Sequence, residues 1–140
     1  GDEINVIKLS QEKIQNFGWP ISSYGEHYDV VPINSYVRKV APLHKSHKKY
    51  GFIEPLKYYE KSIGISEIIK NHHLLNSFFV TSLKKKSIYE IVLDENLNFQ
   101  KTRNKIDINE RIRDIIYDKK KKCYLIYGES TPKLISMCLI

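Results

Sequence analysis

The amino-acid sequence predicts an all-β chain in which a unit of short antiparallel strands recurs, and three observations carry that prediction. The second half consists of short runs rich in β-branched and aromatic residues, such as SFFVTSL (Ser77 to Leu83) and SIYEIVL (Ser87 to Leu93). Clusters of Lys, Asp, Ser, Thr and Pro separate the runs and read as turns. The two parts of this half also repeat each other in order. ISEII from Ile65 matches IRDII from Ile112, FVT from Phe79 matches LIY from Leu125, and IYEI from Ile88 matches LISM from Leu134, at offsets of 47, 46 and 46. A unit of three or four short strands with a period in the forties is how a β-propeller blade looks in sequence. Blades bury their faces against neighbours, so two alone would leave a flank open, and a piece of a larger propeller is expected.

Taken in order, DEINVIKL (Asp2 to Leu9) alternates like a strand, and NFGWP (Asn16 to Pro20) is a turn carrying the only Trp. From Ile21 to Tyr59 the chain is rich in Tyr, His, Ser and Pro with little periodicity. A loop of that length in a compact domain is usually functional, and this one is expected to cover or line a site. Ser77–Leu83 and Ser87–Leu93 form a hairpin across Lys84 to Lys86. RIRDIIY (Arg111 to Tyr117) and CYLIYG (Cys123 to Gly128) repeat that design around Asp118 to Lys122, and KLISMCLI (Lys133 to Ile140) follows the turn STP. The boundaries expected are the end of one blade plus a long loop over residues 1–61, one blade over 62–108 and the last blade over 109–140.

With 140 residues, 41% hydrophobic and 11% aromatic, the chain can build a core and is not a disordered sequence. No run approaches the length of a membrane span, so a soluble protein with no membrane partner is expected. The chain opens GDEIN without a Met, and Gly1 is not expected to be a natural start. The net charge of +7 invites a nucleic-acid reading. Its clusters are HKSHKK (His44 to Lys49), LKKKS (Leu83 to Ser87) and DKKKKC (Asp118 to Cys123); the last two lie between strand-like runs and read as solvated turns, and no nucleic-acid partner is expected. Cys123 and Cys138 each fall in an apolar alternating run, where a small buried thiol is expected in preference to a disulfide. Among the histidines only His44 and His47 have a spacing suited to a shared metal, and with no cysteine or paired carboxylate beside them no metal ligand is assigned.

One motif stands out chemically. In NERIRDIIYD, Asn109 to Asp118, Arg111 and Arg113 are two residues apart. On a strand they share a face with Ile115, while Ile112, Asp114 and Ile116 take the other. An isolated guanidinium is costly to bury, and its planar fork matches carboxylate or phosphate oxygens two at a time. Either the pair holds a bound anion, or it is matched on a surface strand by Glu110, Asp114 or Asp107.

GDEINVI, NFGWPISSYGEHYD, SIGISEI, TSLKKKSIYEIVLD and RIRDIIYD, in that order, resemble the C-terminal part of the soluble quinoprotein sugar dehydrogenases, the glucose/sorbosone dehydrogenase family with its aldose dehydrogenase branch. The resemblance runs over nearly the whole chain and is most specific in NFGWP combined with RIRD. It implies a partial six-bladed β-propeller, about two blades of antiparallel strands. It also implies a complete protein that binds pyrroloquinoline quinone (PQQ) with calcium and oxidises the anomeric carbon of an aldose to a lactone. Arg111 and Arg113 inherit the family's cofactor-gripping arginines, Lys84 in TSLKKK its cofactor-contacting lysine, and Tyr24 its aromatic flanking the cofactor. PQQ carries three carboxylates and an ortho-quinone, so fixed cations with a flat aromatic neighbour suit it.

The family's catalytic histidine and the residues that set calcium against the cofactor lie in the N-terminal blades. None of His27, His44, His47, His72 or His73 matches that motif, so no catalytic residue is assigned here. A periplasmic or secreted location is implied by the resemblance, a sugar is the implied substrate, and exposed blade edges imply self-association of an isolated piece. Two other function classes stand beside a dehydrogenase: a non-catalytic propeller serving as a binding or scaffold module, and a basic nucleic-acid binder.

Overall fold

The computed structural model describes residues 1–7, 9–10, 13–27 and 34–139. Among them nine strands and one short α-helix divide between two compact units, Gly1–Ser62 and Ile63–Ile140. The fold is all-β, as the run-and-turn pattern predicts, and every strand pairing is antiparallel.

In the first unit β1 (Asp2–Ile4) pairs with β2 (Lys57–Tyr59), Asp2 lying opposite Tyr59 and Ile4 opposite Lys57. The strand expected over Asp2–Leu9 is thus shorter, ending at Ile4, and its Lys8 lies outside the described residues. NFGWP is a turn. Gly18 has φ +91°, a conformation that side chains resist, and a Cβ there would stand 2.9 Å from the Phe52 ring. The stretch between Ile21 and Tyr59 is more structured than its lack of period implies. It holds α1 (Ser35–Val40), whose N-cap Asn34 accepts the Val37 N–H at 2.9 Å, and a single 3-10 turn at Lys48–Tyr50. None of the helix residues is buried, so α1 has no apolar face for a periodicity to reveal. Of the loop expected over Ile21–Tyr59, residues 28–33 lie outside the described residues.

The second unit carries two sheets. β3 (Ile65–Lys70), β4 (Ser77–Ser82), β5 (Ser87–Leu93) and β6 (Phe99–Asp107) make a four-stranded meander, and β7 (Ile112–Asp118), β8 (Cys123–Gly128) and β9 (Lys133–Cys138) a three-stranded one. The repeat read in the sequence governs the pairing. Ile69 faces Phe79 and Phe79 faces Glu90 in the first sheet, and their counterparts Ile116, Leu125 and Ser136 pair the same way in the second. β6 has no counterpart run of apolar residues: FQKTRNKID is almost wholly exposed, so alternation could not announce it, and its pairing with β5 from Ser87–Asp107 to Leu93–Phe99 holds it in place.

Phe79, Ile88, Ile112, Ile115, Tyr124 and Ile126 form the core of this unit. Burying each such apolar side chain stabilises by about 1.5–3 kcal/mol. Tyr124 is fully buried yet satisfied, its hydroxyl donating to the Lys70 carbonyl at 3.2 Å and accepting the His72 N–H at 2.7 Å. Glu90, 5% exposed, is met by Asn71 Nδ2 at 2.9 Å, Ser77 Oγ at 3.3 Å, Asn104 and Arg103, so its buried charge is matched by donors from three elements.

Two expectations are corrected. A β-bulge interrupts the register between Ile112 and Asp114, so strict alternation fails across RIRDII. The extra residue carries Ile115 to the buried side with Ile112, away from the arginines, and leaves Ile116 exposed. β3 has a bulge at the equivalent place, between Ile65 and Ile68, so the irregularity belongs to the repeat. The second correction concerns the cysteines, which are joined as a Cys123–Cys138 disulfide. Hairpin register sets Cys123 opposite Cys138, with Cα atoms 4.3 Å apart, the spacing of a directly opposed antiparallel pair without backbone bonds between them. Reading each run separately could not show this opposition.

The disulfide spans 15 residues and in a chain-entropy treatment contributes about 3 kcal/mol. Replacing both cysteines by Ser should therefore lower hydrogen-exchange protection of β9 amides by about two orders of magnitude while leaving β4 and β5 protected. Equal protection of β9 with and without the bridge would contradict this role.

Candidate functional site

The site is built at the end of the second sheet where β7 begins and β8 ends. Ile112 pairs with Gly128, which puts the residue before β7, Arg111, beside the residue after β8, Glu129. The Glu129 N–H donates to the Arg111 carbonyl at 2.9 Å, fixing the backbone of both. The Glu129 carboxylate then takes one arginine on each oxygen. Arg111 Nε donates to Oε1 at 2.7 Å and Arg113 Nε to Oε2 at 2.6 Å, with Arg113 Nη2 also against Oε2. Arg111 and Arg113 both lie on the exposed side, flanking buried Ile112, so both reach the same carboxylate; the bulge that follows changes the side taken by Ile115. First Arg111 and then Arg113 hold the Glu129 carboxyl below its ordinary range.

The arrangement leaves cation outward. The guanidinium side chains of Arg111 and Arg113 are 44% and 54% exposed, against 23% for Glu129. Among the described residues no other side chain is recorded on the terminal nitrogens of Arg111. One carboxylate against two guanidinium groups leaves a net charge of +1 there. The arginines are therefore paired with an acid, and it is Glu129 in place of Glu110, Asp114 or Asp107.

A second carboxylate secures the loop that carries the first. Glu110 is 4% exposed and accepts from the Thr131 hydroxyl, the Thr131 N–H at 3.3 Å and Lys133 Nζ at 3.1 Å. Those donors, the Thr131 hydroxyl foremost and Lys133 next, lower the Glu110 pKa to about 2. Gly128 makes room for it, since a Cβ on that residue would lie 3.1 Å from Glu110 Cβ and Cγ.

Lys84 follows β4 and is exposed. Its N–H donates to the Ile63 carbonyl at 3.1 Å and the Leu83 N–H to the Gly64 carbonyl at 2.8 Å, tying this turn to the entry of β3. Ser66 on β3 in turn donates to the Ile112 carbonyl at 2.6 Å, so the starts of β3 and β7 adjoin. Lys84 thus belongs to the same end of the second unit as the arginine pair.

Tyr24 lies in the first unit within an aromatic stack. Its ring is 4.0 Å from that of Tyr58 and 5.2 Å from that of His47, both near parallel. Its hydroxyl donates to Glu54 Oε2 at 2.7 Å, and this bond chiefly, with burial, raises the phenol pKa to about 12. Glu54 Oε1 meanwhile accepts the N–H groups of His47 and Lys48 at 3.0 and 2.8 Å. The sequence offers Glu110 only as a partner for the arginines and carries no signal that marks Glu129. Only strand register shows which charges meet.

Comparison with known proteins places this architecture. The sequence model of the Glucose / Sorbosone dehydrogenase family matches residues 1–136. The chain belongs to that family. It is 25% identical over 142 residues to the aldose sugar dehydrogenase YliI of Escherichia coli (strain K12), a match covering 98% of this chain and 35% of that protein. Among solved structures, the soluble aldose sugar dehydrogenase (Asd) from Escherichia coli in its apo-form superposes with a TM-score of 0.71 at 23% identity, covering 97% of this chain and 37% of that one. A glucose dehydrogenase superposes with a TM-score of 0.67 at 21% identity, covering 90% and 35%. These structures support the partial-propeller fold, and the chain spans about a third of the length of the proteins it matches.

Because the Glu110 pKa falls from an ordinary 4.5 to about 2 on folding, its contribution to stability is complete above about pH 4.5 and lost as pH drops towards 2. Glu110→Gln should lower stability near pH 7 and flatten the loss between pH 5 and 2, read by urea midpoints of the complete protein. Midpoints that run parallel to those of the parent would exclude this role.

Proposed function

We propose that this chain forms part of a PQQ-dependent aldose dehydrogenase and that Arg111, Arg113 and Lys84 hold the carboxylates of the cofactor. The observation that carries the reading is the outward cationic face of the arginine pair: both side chains are half exposed, Glu129 engages Arg111 through Nε and Arg113 through Nε and Nη2, and the remaining terminal nitrogens are left without a side-chain partner among the described residues. Membership of the Glucose / Sorbosone dehydrogenase family supports it. The donor set fits the group, since a polycarboxylate calls for several fixed guanidinium or ammonium donors, and these three residues supply them at one end of one unit.

When bound, PQQ supplies the two-electron acceptor for oxidation of the sugar at its anomeric carbon to a lactone. The residues of this chain bind and orient. The arginines would hold cofactor carboxylates by the guanidinium nitrogens that Glu129 leaves open, Lys84 would add a point charge, and no general base is assigned among the histidines present. Calcium belongs to the same proposal for the complete protein, held by residues outside this chain. A periplasmic or secreted location is supported by the Cys123–Cys138 disulfide, which an oxidising compartment maintains.

In the complete protein, Arg111→Ala or Arg113→Ala should weaken PQQ binding by about 1.5–3 kcal/mol, the usual size for a hydrogen bond to a charged group, with the fold intact. Lys at either position should not restore it fully, because one ammonium cannot reproduce the fork. Reconstitution of the double Ala variant at the parent's affinity would overturn the assignment.

A further inference from the structure

We propose that Glu129 is a positioning residue for the anion site: its carboxylate locks Arg111 and Arg113 by their Nε edges so that the terminal guanidinium nitrogens are aimed together at a ligand carboxylate. This rests on the reading of the arginines as cofactor-holding residues and adds to it a residue that touches no ligand.

Geometry separates this role from two others. A glutamate that satisfied the pair completely would leave no terminal nitrogen open on either arginine. Here Arg111 is engaged only through Nε, and Arg113 through Nε and one terminal nitrogen, so Arg111 keeps both terminal nitrogens and Arg113 keeps Nη1. A glutamate placed only to neutralise charge would need no backbone constraint. Glu129 is instead bonded to Arg111 twice, by its own N–H to the Arg111 carbonyl and by Oε1 to Arg111 Nε, which closes a ring that fixes the side chain against the main chain. The loop behind it is held as well, by the three donors from Thr131 and Lys133 on buried Glu110. Long arginine side chains lose much rotamer freedom on binding a ligand, and holding them beforehand removes that loss from the binding step.

The sign of the effect makes the proposal testable. Glu129 carries a negative charge beside an anion site, so on charge alone its removal should tighten binding, whereas on positioning its removal should loosen binding. In the complete protein, Glu129→Gln is nearly isosteric, with one strong acceptor oxygen in place of two, and Glu129→Asp keeps the charge on a side chain one methylene shorter. Two readouts apply, with circular dichroism and thermal melts confirming the fold. The first needs no ligand: 15N spectra of arginine Nε–H groups, in which Arg111 and Arg113 should give slowly exchanging, ordered signals in the parent. In E129Q at least one should exchange tenfold faster or more. The second is titration of apo-protein with PQQ, followed by quinone absorbance, where E129Q should bind about tenfold more weakly and E129D should fall between it and the parent.

Unchanged Nε–H exchange in both variants overturns the proposal whatever PQQ does. Loosened arginines with unchanged or tighter PQQ binding in E129Q overturn it too, provided R111A/R113A loses PQQ. If R111A/R113A binds PQQ like the parent, the quinone reading fails instead, and the exchange data alone decide whether Glu129 orders the arginines.

Discussion

Two guanidinium groups set side by side repel, by about 1 kcal/mol at 4 Å in water and several times that where water is thinned by protein. Holding such a pair at one spot requires an anion between them, and in this chain the anion is built in. The two oxygens of Glu129 each take an arginine Nε. Strand register and a second carboxylate keep that group in place. The β7–β8 register brings Glu129 next to Arg111, alternation around buried Ile112 sets Arg113 on the same side, and Glu110 secures the loop on which Glu129 stands.

The bulge shows how a repeated fold yields a local site. β3 carries the same irregularity as β7, between Ile65 and Ile68, and there the equivalent of Arg113 is Ser66. Ser66 spends its hydroxyl on structure, donating to the Ile112 carbonyl and lying 2.8 Å from Thr81 Oγ1. The same position of the repeat thus serves packing in the first sheet and carries a cation in the second, and the side chain placed on it decides which. Chemistry here is a substitution upon a repeat that folds for its own reasons.

The repeat itself was legible. Offsets of 47 and 46 between matching runs reappear as matching cross-strand partners, because strand period and register are set by the same apolar positions that form the core around Ile88, Ile112 and Ile126. β6 was not legible, since its residues face solvent and its strand is dictated by hydrogen bonding to β5. α1 was hidden for a similar reason, being six exposed residues closed by an Asn cap. At the site, the arginines announced themselves by charge and spacing. Their partner did not, because Glu129 is 16 residues from Arg113 and meets it only through the hairpin. The disulfide was missed on the same ground, two cysteines that alternation places separately and register places face to face.

The proposed account is that an internal carboxylate orders two cations for an external one. Its most direct test is a crystal structure of the complete protein with PQQ bound. The account predicts a cofactor carboxylate on the terminal nitrogens of Arg111 and Arg113 while Glu129 remains on their Nε groups. A quinone bound away from both arginines, or a Glu129 side chain swung off them to admit it, would contradict it.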